Sequence, residues 1–177
     1  MKGLNGKKPF SFYLSVCLLS ILILLIEGSL LALFFGGAVM PDLLLVMVIC
    51  LAFIQGEQKG MVLGLLAGLL QDLFFGPAIG FFGLAKMVTA YLVGLASREI
   101  YKDQLIGLMV IVFIATFVHE FIILFLGLLF WGGTGSFFYL LDILFLEKTV
   151  YHLLLAVPVY LLLHRAERHG FFYIFPK

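Results

Sequence analysis

The chain has 177 residues, 64% of them hydrophobic and 12% charged, with a formal net charge of +1. A soluble domain is nearer half apolar and one quarter charged, so this composition leaves too little polar surface to face water and places the chain in lipid. Six spans of about 20 residues would use about two-thirds of it, which excludes a separate soluble catalytic domain. The near-neutral charge, without a basic stripe interleaved with aromatics, gives nucleic acid no footing.

Taken in chain order, the apolar runs and their breakers predict an all-α integral membrane protein, a six-helix bundle forming one transmembrane domain over residues 1–177. Lys2, Lys7 and Lys8 precede a first span at about 10–33. That basic start resembles a signal peptide, but the run is too long for its apolar region and no Ala-x-Ala-like site follows, so it is expected to stay uncleaved. Further spans are expected at about 41–54, 61–75, 79–97, 105–130 and 137–164. A tail over 165–177, carrying Phe171, Phe172, Tyr173 and Phe175 near Arg165 and Arg168, suits the inner headgroup layer.

The bases orient these spans. With the N-terminus inside, Lys2, Lys7, Lys8, Lys59, Arg98, Lys102, Arg165, Arg168 and Lys177 all fall on the cytoplasmic side, and the outer loops hold no Lys or Arg. Lys86 and Lys148 lie within spans. This is the positive-inside pattern, and an odd number of crossings breaks it, so both termini are expected in the cytoplasm.

The second and third spans offer roughly 21–23 Å against a hydrocarbon core of about 30 Å and need protein neighbours at their ends. Gly60, Gly64 and Gly68 recur every four residues with Ala67 beside them, a groove for close helix approach that suits either internal packing or a partner. Charges inside the spans are costly, about 3 kcal/mol each on insertion scales, and so call for partners or a wet cavity. Asp72 and Lys86 flank the turn near Gly76-Pro77, and a contact between them is expected. Glu120 and Lys148 lie at nearly equal distances from a turn around Gly133-Thr134, and His152 follows Lys148 by one helical turn, so these three are expected to form a polar cluster. His119 and Glu147 point elsewhere around their helices. Such clusters suit helix registration, a proton or ion path, or a substrate or lipid-headgroup site.

Catalytic and metal signatures are missing. His119-Glu120 lacks the second histidine of a zinc helix, there is no nucleophile elbow and no phosphate-loop lysine, and Cys17 and Cys50 read as small hydrophobes. No cofactor, metal or enzymatic activity is expected.

Pro41-Asp42-Leu43-Leu44-Leu45, then Gly64-x3-Gly68-Leu69-Leu70-Gln71-Asp72-Leu73, with Gly76, Gly80 and Gly83, and Tyr91-Leu92-Val93-Gly94, resemble the MreD family of bacterial rod shape-determining membrane proteins. The resemblance covers roughly residues 41–94, and the family's motif residues carry over to Pro41, Asp42 and Asp72. It implies a non-enzymatic component of the cell-elongation machinery that helps control lateral peptidoglycan synthesis. Its partners would be a single-span MreC-like protein and, indirectly, MreB, RodA and a class B penicillin-binding protein. It also implies an architecture similar to the S components of ECF vitamin transporters. A small-molecule transporter subunit of that kind is the alternative reading, and an intramembrane enzyme ranks last.

Overall fold

The computed structural model describes residues 7–31, 41–100, 105–131 and 137–168, and the described residues contain six α-helices and no strand. The helices are α1 (Lys7–Ile26), α2 (Leu43–Gln55), α3 (Glu57–Phe75), α4 (Phe81–Ala96), α5 (Leu105–Trp131) and α6 (Phe137–Arg168), and α1 runs on into a π-helical turn, Glu27–Leu31. The expected outer turn around Gly133-Thr134, the base at Lys102, the side chains of Asp142 and Glu147, and the tail beyond Arg168 lie outside the described residues or side chains.

Stretches of α1, α5 and α6 are long and apolar enough to cross a membrane, over Phe12–Ser29, Leu105–Phe130 and Lys148–Glu167. Their sequences divide into two faces. On α1, Phe12, Val16, Ser20, Leu24 and Glu27 are buried, while Leu14, Leu18, Leu22 and Leu25 are exposed, the three- and four-residue spacing of a helix with one packed side. On α5, Leu108, Ile111, Val112, Ala115, Thr116 and His119 face inward, and Phe113, Phe117, Phe121 and Phe125 face outward, where lipid tails offer them an apolar medium.

The short helix α2 is the hub. Its 13 residues carry no charge and no break in hydrophobicity, and Leu44 through Phe53 are each at most 1% exposed. A helix apolar on every side must be surrounded, and α2 touches every other helix. This is how a segment of roughly 20 Å is accommodated: its ends stop inside protein, so its termini must find polar partners there instead of in water.

Helices α3 and α4 form the closest pair. A Cβ built on Gly64 would lie 2.5 Å from the Lys86 carbonyl oxygen and 2.9 Å from the Ala90 methyl, and one on Gly68 would lie 2.5 Å from the Phe82 carbonyl oxygen and 2.6 Å from the Gly83 Cα. Gly60 lies against both Ala52 of α2 and Ala90 of α4, and Gly94 lies against Glu57. Ala67 is buried on the same face. The glycine groove is therefore filled by α4, and by α2 at its Gly60 end, the internal-packing arrangement of the two uses considered for it.

The end of the bundle holding the α2 C-terminus has its own polar set. Gln55 donates to Glu167 at 2.6 Å and accepts from Lys59 at 2.9 Å, and Arg98 is bound to Glu57 through both Nε and an Nη. Arg98's hydrogen bonds hold the Glu57 carboxyl below the usual carboxylate range. The stabilisation linked to this shift is present above the unfolded pKa and is lost as pH falls through the folded one, and at so exposed a pair it is small.

Candidate functional site

The opposite end of α2 organises a buried polar centre. The first backbone N–H groups of any helix lack intrahelical acceptors, and here side chains from three elements supply them. Asp42, the N-cap, accepts from Leu45 N at 2.6 Å. Glu27, in the π turn after α1, accepts from Leu44 N at 3.0 Å. His152 of α6 accepts through Nε2 from the Asp42 N–H at 3.0 Å, and its Nδ1 lies 3.1 Å from Thr116 Oγ1 of α5. With Nε2 accepting, the ring proton of a neutral imidazole sits on Nδ1 and is donated to Thr116. Anions at this position also gain from the positive end of the helix dipole. A π turn is a frequent device at functional positions, and this one carries Glu27 beside the α2 N-terminus.

Lys86, fully buried in α4, forms an ion pair with Asp42. The contact expected between Lys86 and Asp72 is not formed. The Asp72 carboxylate instead accepts three backbone N–H groups across the hairpin, from Gly80 at 2.8 Å, Phe82 at 2.8 Å and Gly83 at 3.0 Å. The need of Asp72 for positive charge is thus met by the N-terminus of α4, where dipole and orphan donors favour an anion, and Lys86 is left for Asp42. The turn requires Gly80, whose φ of +94° is a left-handed value that disfavours a side chain. Removing all three bonds with Asp72→Ala is expected to cost about 2 kcal/mol or more, and Asp72→Asn, which keeps an acceptor, is expected to cost less. Thermal unfolding of the purified variants in one detergent ranks them.

Glu120 and Lys148 are brought together, with Lys148 Nζ 3.3 Å from each carboxylate oxygen. His152 does not join them. It sits one turn along α6 opposite Thr116, itself one turn along α5 from Glu120, so the two facing helices carry successive rungs: Glu120–Lys148 and Thr116–His152. His119 lies beside the Glu120–Lys148 contact, with Nδ1 3.8 Å from Glu120 Oε1, beyond hydrogen-bond distance.

Beside these pairs lies a cavity of about 400 Å³, its wall including Glu27, Asp42, Gln71, His119, Glu120 and Lys148 together with Phe75 and Phe82. That is within the roughly 300–1,000 Å³ of small-molecule sites. Three polar atoms here are buried without a hydrogen-bond partner: Gln71 Oε1 and both ring nitrogens of His119. Each such group left without a partner costs about 1–3 kcal/mol. Sequence reasoning had named Glu120, Lys148 and His119 among the costly charges and Asp42 as a family-motif residue, but it gave no role to Gln71 or Glu27. Among the described residues no cluster of three or more His, Cys, Asp or Glu has the geometry of a metal site.

With this arrangement in view, comparison with known proteins gives one finding. A family model described as rod shape-determining protein MreD matches residues 8–166, while no curated protein and no solved structure matches. The match takes in the first, fifth and sixth helices, where the resemblance had rested on length and hydropathy, as well as the glycine- and aspartate-bearing middle. With its long apolar helices and a match over nearly its whole length, this chain is a membrane protein and belongs to the MreD family of rod shape-determining proteins.

Proposed function

We propose that the protein serves as a non-enzymatic, multi-pass inner-membrane component of the cell-elongation complex, with both termini in the cytoplasm. In this reading it helps to control lateral peptidoglycan synthesis through an MreC-like single-span partner, and through that partner MreB, RodA and a class B penicillin-binding protein. The observation that carries it is the family match over residues 8–166, and the one-sided distribution of Lys and Arg supports the orientation.

With the α3 groove filled by α4, a single-span partner must be met on the outer faces of the bundle. The outward aromatic row of α5, Phe113, Phe117, Phe121 and Phe125, is such a face. The transporter reading draws its support from the polar cavity, which is what a substrate-binding subunit wants. Against it, the first span carries a single alanine, Ala32, where docking to an energising partner calls for several. Depletion in the rod-shaped parent cell is expected to produce rounded cells that recover on re-expression. Cells that keep their rod shape but acquire a vitamin requirement would instead establish the transporter reading.

A further inference from the structure

We propose that the polar cavity beside the α2 N-terminus is a binding site for a molecule bearing a primary ammonium group. The charge count comes first. Three carboxylates line the cavity, Glu27, Asp42 and Glu120. Asp42 is paired with Lys86 and Glu120 with Lys148, whereas no cation pairs with Glu27 among the described residues. Glu27 is 8% exposed, and one of its oxygens is committed to the Leu44 N–H. Among the described residues the site therefore holds one more carboxyl group than it has lysines to pair with.

Hydrogen-bonding capacity points the same way. Gln71 Oε1 is an acceptor without a donor, and His119, 2% exposed, makes no hydrogen bond through either nitrogen, its Nδ1 standing 3.8 Å from Glu120 Oε1. A neutral imidazole offers one acceptor nitrogen. Together with Glu27, these residues give the wall unmet polar atoms and one carboxyl group that has no cation partner among the described residues. A protonated primary amine brings one positive charge and three N–H donors. An anion would oppose ionisation of the Glu27 carboxyl, and a neutral alcohol would leave that carboxyl without a counterion. The rings of Phe75 and Phe82 on the same wall suit the hydrocarbon carrying the amine and add attraction for a cation over an aromatic face. The chemistry is the same whether the amine belongs to a free solute or to an aminophospholipid headgroup, and it does not rest on the role in cell shape.

The test uses the full chain in lipid nanodiscs, with ethanolamine as the soluble probe and phosphatidylethanolamine as the lipid probe. In phosphatidylglycerol discs, ethanolamine is expected to raise the thermal midpoint and to give saturable calorimetric binding, whereas ethylene glycol does neither. Phosphatidylethanolamine is expected to raise the midpoint over phosphatidylcholine, whose quaternary nitrogen has no N–H, if the headgroup is the source. A response to the soluble probe alone identifies a free amine, a response to the lipid alone identifies a headgroup, and either supports the site. Glu27→Gln, which keeps an acceptor for Leu44, should weaken binding about tenfold or more, the effect of losing one charge-assisted hydrogen bond. Should that variant not fold, Gln71→Leu decides, because Gln71 Oε1 holds no bond in the fold. The proposal is overturned by the absence of a response in both arms, by ethylene glycol acting as well as ethanolamine, or by unchanged affinity in the folded variant.

Discussion

Lys86→Met is expected to destabilise the protein by about 3–5 kcal/mol, the cost of leaving one member of a buried ion pair without its partner. Lys86 is fully buried and bound to Asp42, and the methionine fills similar volume, so the loss is electrostatic and not one of packing. Asp42→Asn alone keeps an N-cap acceptor for Leu45 but strands the lysine. The double variant removes both charges while keeping the cap, and should recover a large share of the lost stability, since a buried pair replaced as a unit is often nearly neutral. A double-mutant cycle on thermal unfolding measures the coupling. Additive single effects would mean that the two charges do not depend on each other. Asp72 supplies the control: because it serves α4 backbone donors and not Lys86, Asp72→Asn is expected to add to Lys86→Met without coupling.

The second large effect is steric. Gly64→Leu and Gly68→Leu force side chains against the backbone of α4, where even a first carbon would stand 2.5 Å from a carbonyl oxygen. Backbone cannot give way as a side-chain tip can, so each change is expected to cost well above the roughly 1–3 kcal/mol of ordinary overpacking, and the chain should fail to accumulate as a monodisperse species. Gly127→Ala is the matched comparison. Nothing lies within 4 Å of a Cβ there, and alanine favours the helix by up to about 1 kcal/mol. Loss of partner binding after leucine substitution at Gly64 and Gly68 would accordingly report a broken α3–α4 pair and not a blocked docking groove. Size-exclusion profiles of the three variants separate these outcomes.

What the sequence revealed and what it concealed follow from how far apart the interacting residues lie. Helix positions were legible from apolar runs and glycine breakers, with α2 starting two residues later than expected and α3 four residues earlier. The Glu120–Lys148 approach was legible because the two residues sit at matched distances from one turn, so depth alone aligns them. The same logic misled at Asp72 and Lys86, which also flank one turn. Depth says which side chains can meet but not which face they share, and backbone donors do not show in a charge count. The Asp42–Lys86 pair spans 44 positions and the His152 bond to Asp42 spans 110, and both depend on α2 lying at the centre of the bundle. One sign of that centre was in the sequence: a helix too short to span and apolar on every side has to be surrounded, and its capping residues must then find their partners on other helices. For Gln71 and Glu27 no local pattern signals the cavity, because it arises only when three hairpins converge.

The central physical claim is that the α2 N-terminus is held inside the bundle by acceptors from separate elements. Site-resolved hydrogen exchange on His152→Phe in the same nanodiscs tests it most directly. Loss of the acceptor for the Asp42 N–H should speed exchange at residues 42–46 by roughly tenfold, while the amides at the Gln55 end of α2 keep their wild-type protection. Unchanged exchange at Asp42, or equal loosening at both ends of the helix, would contradict the account.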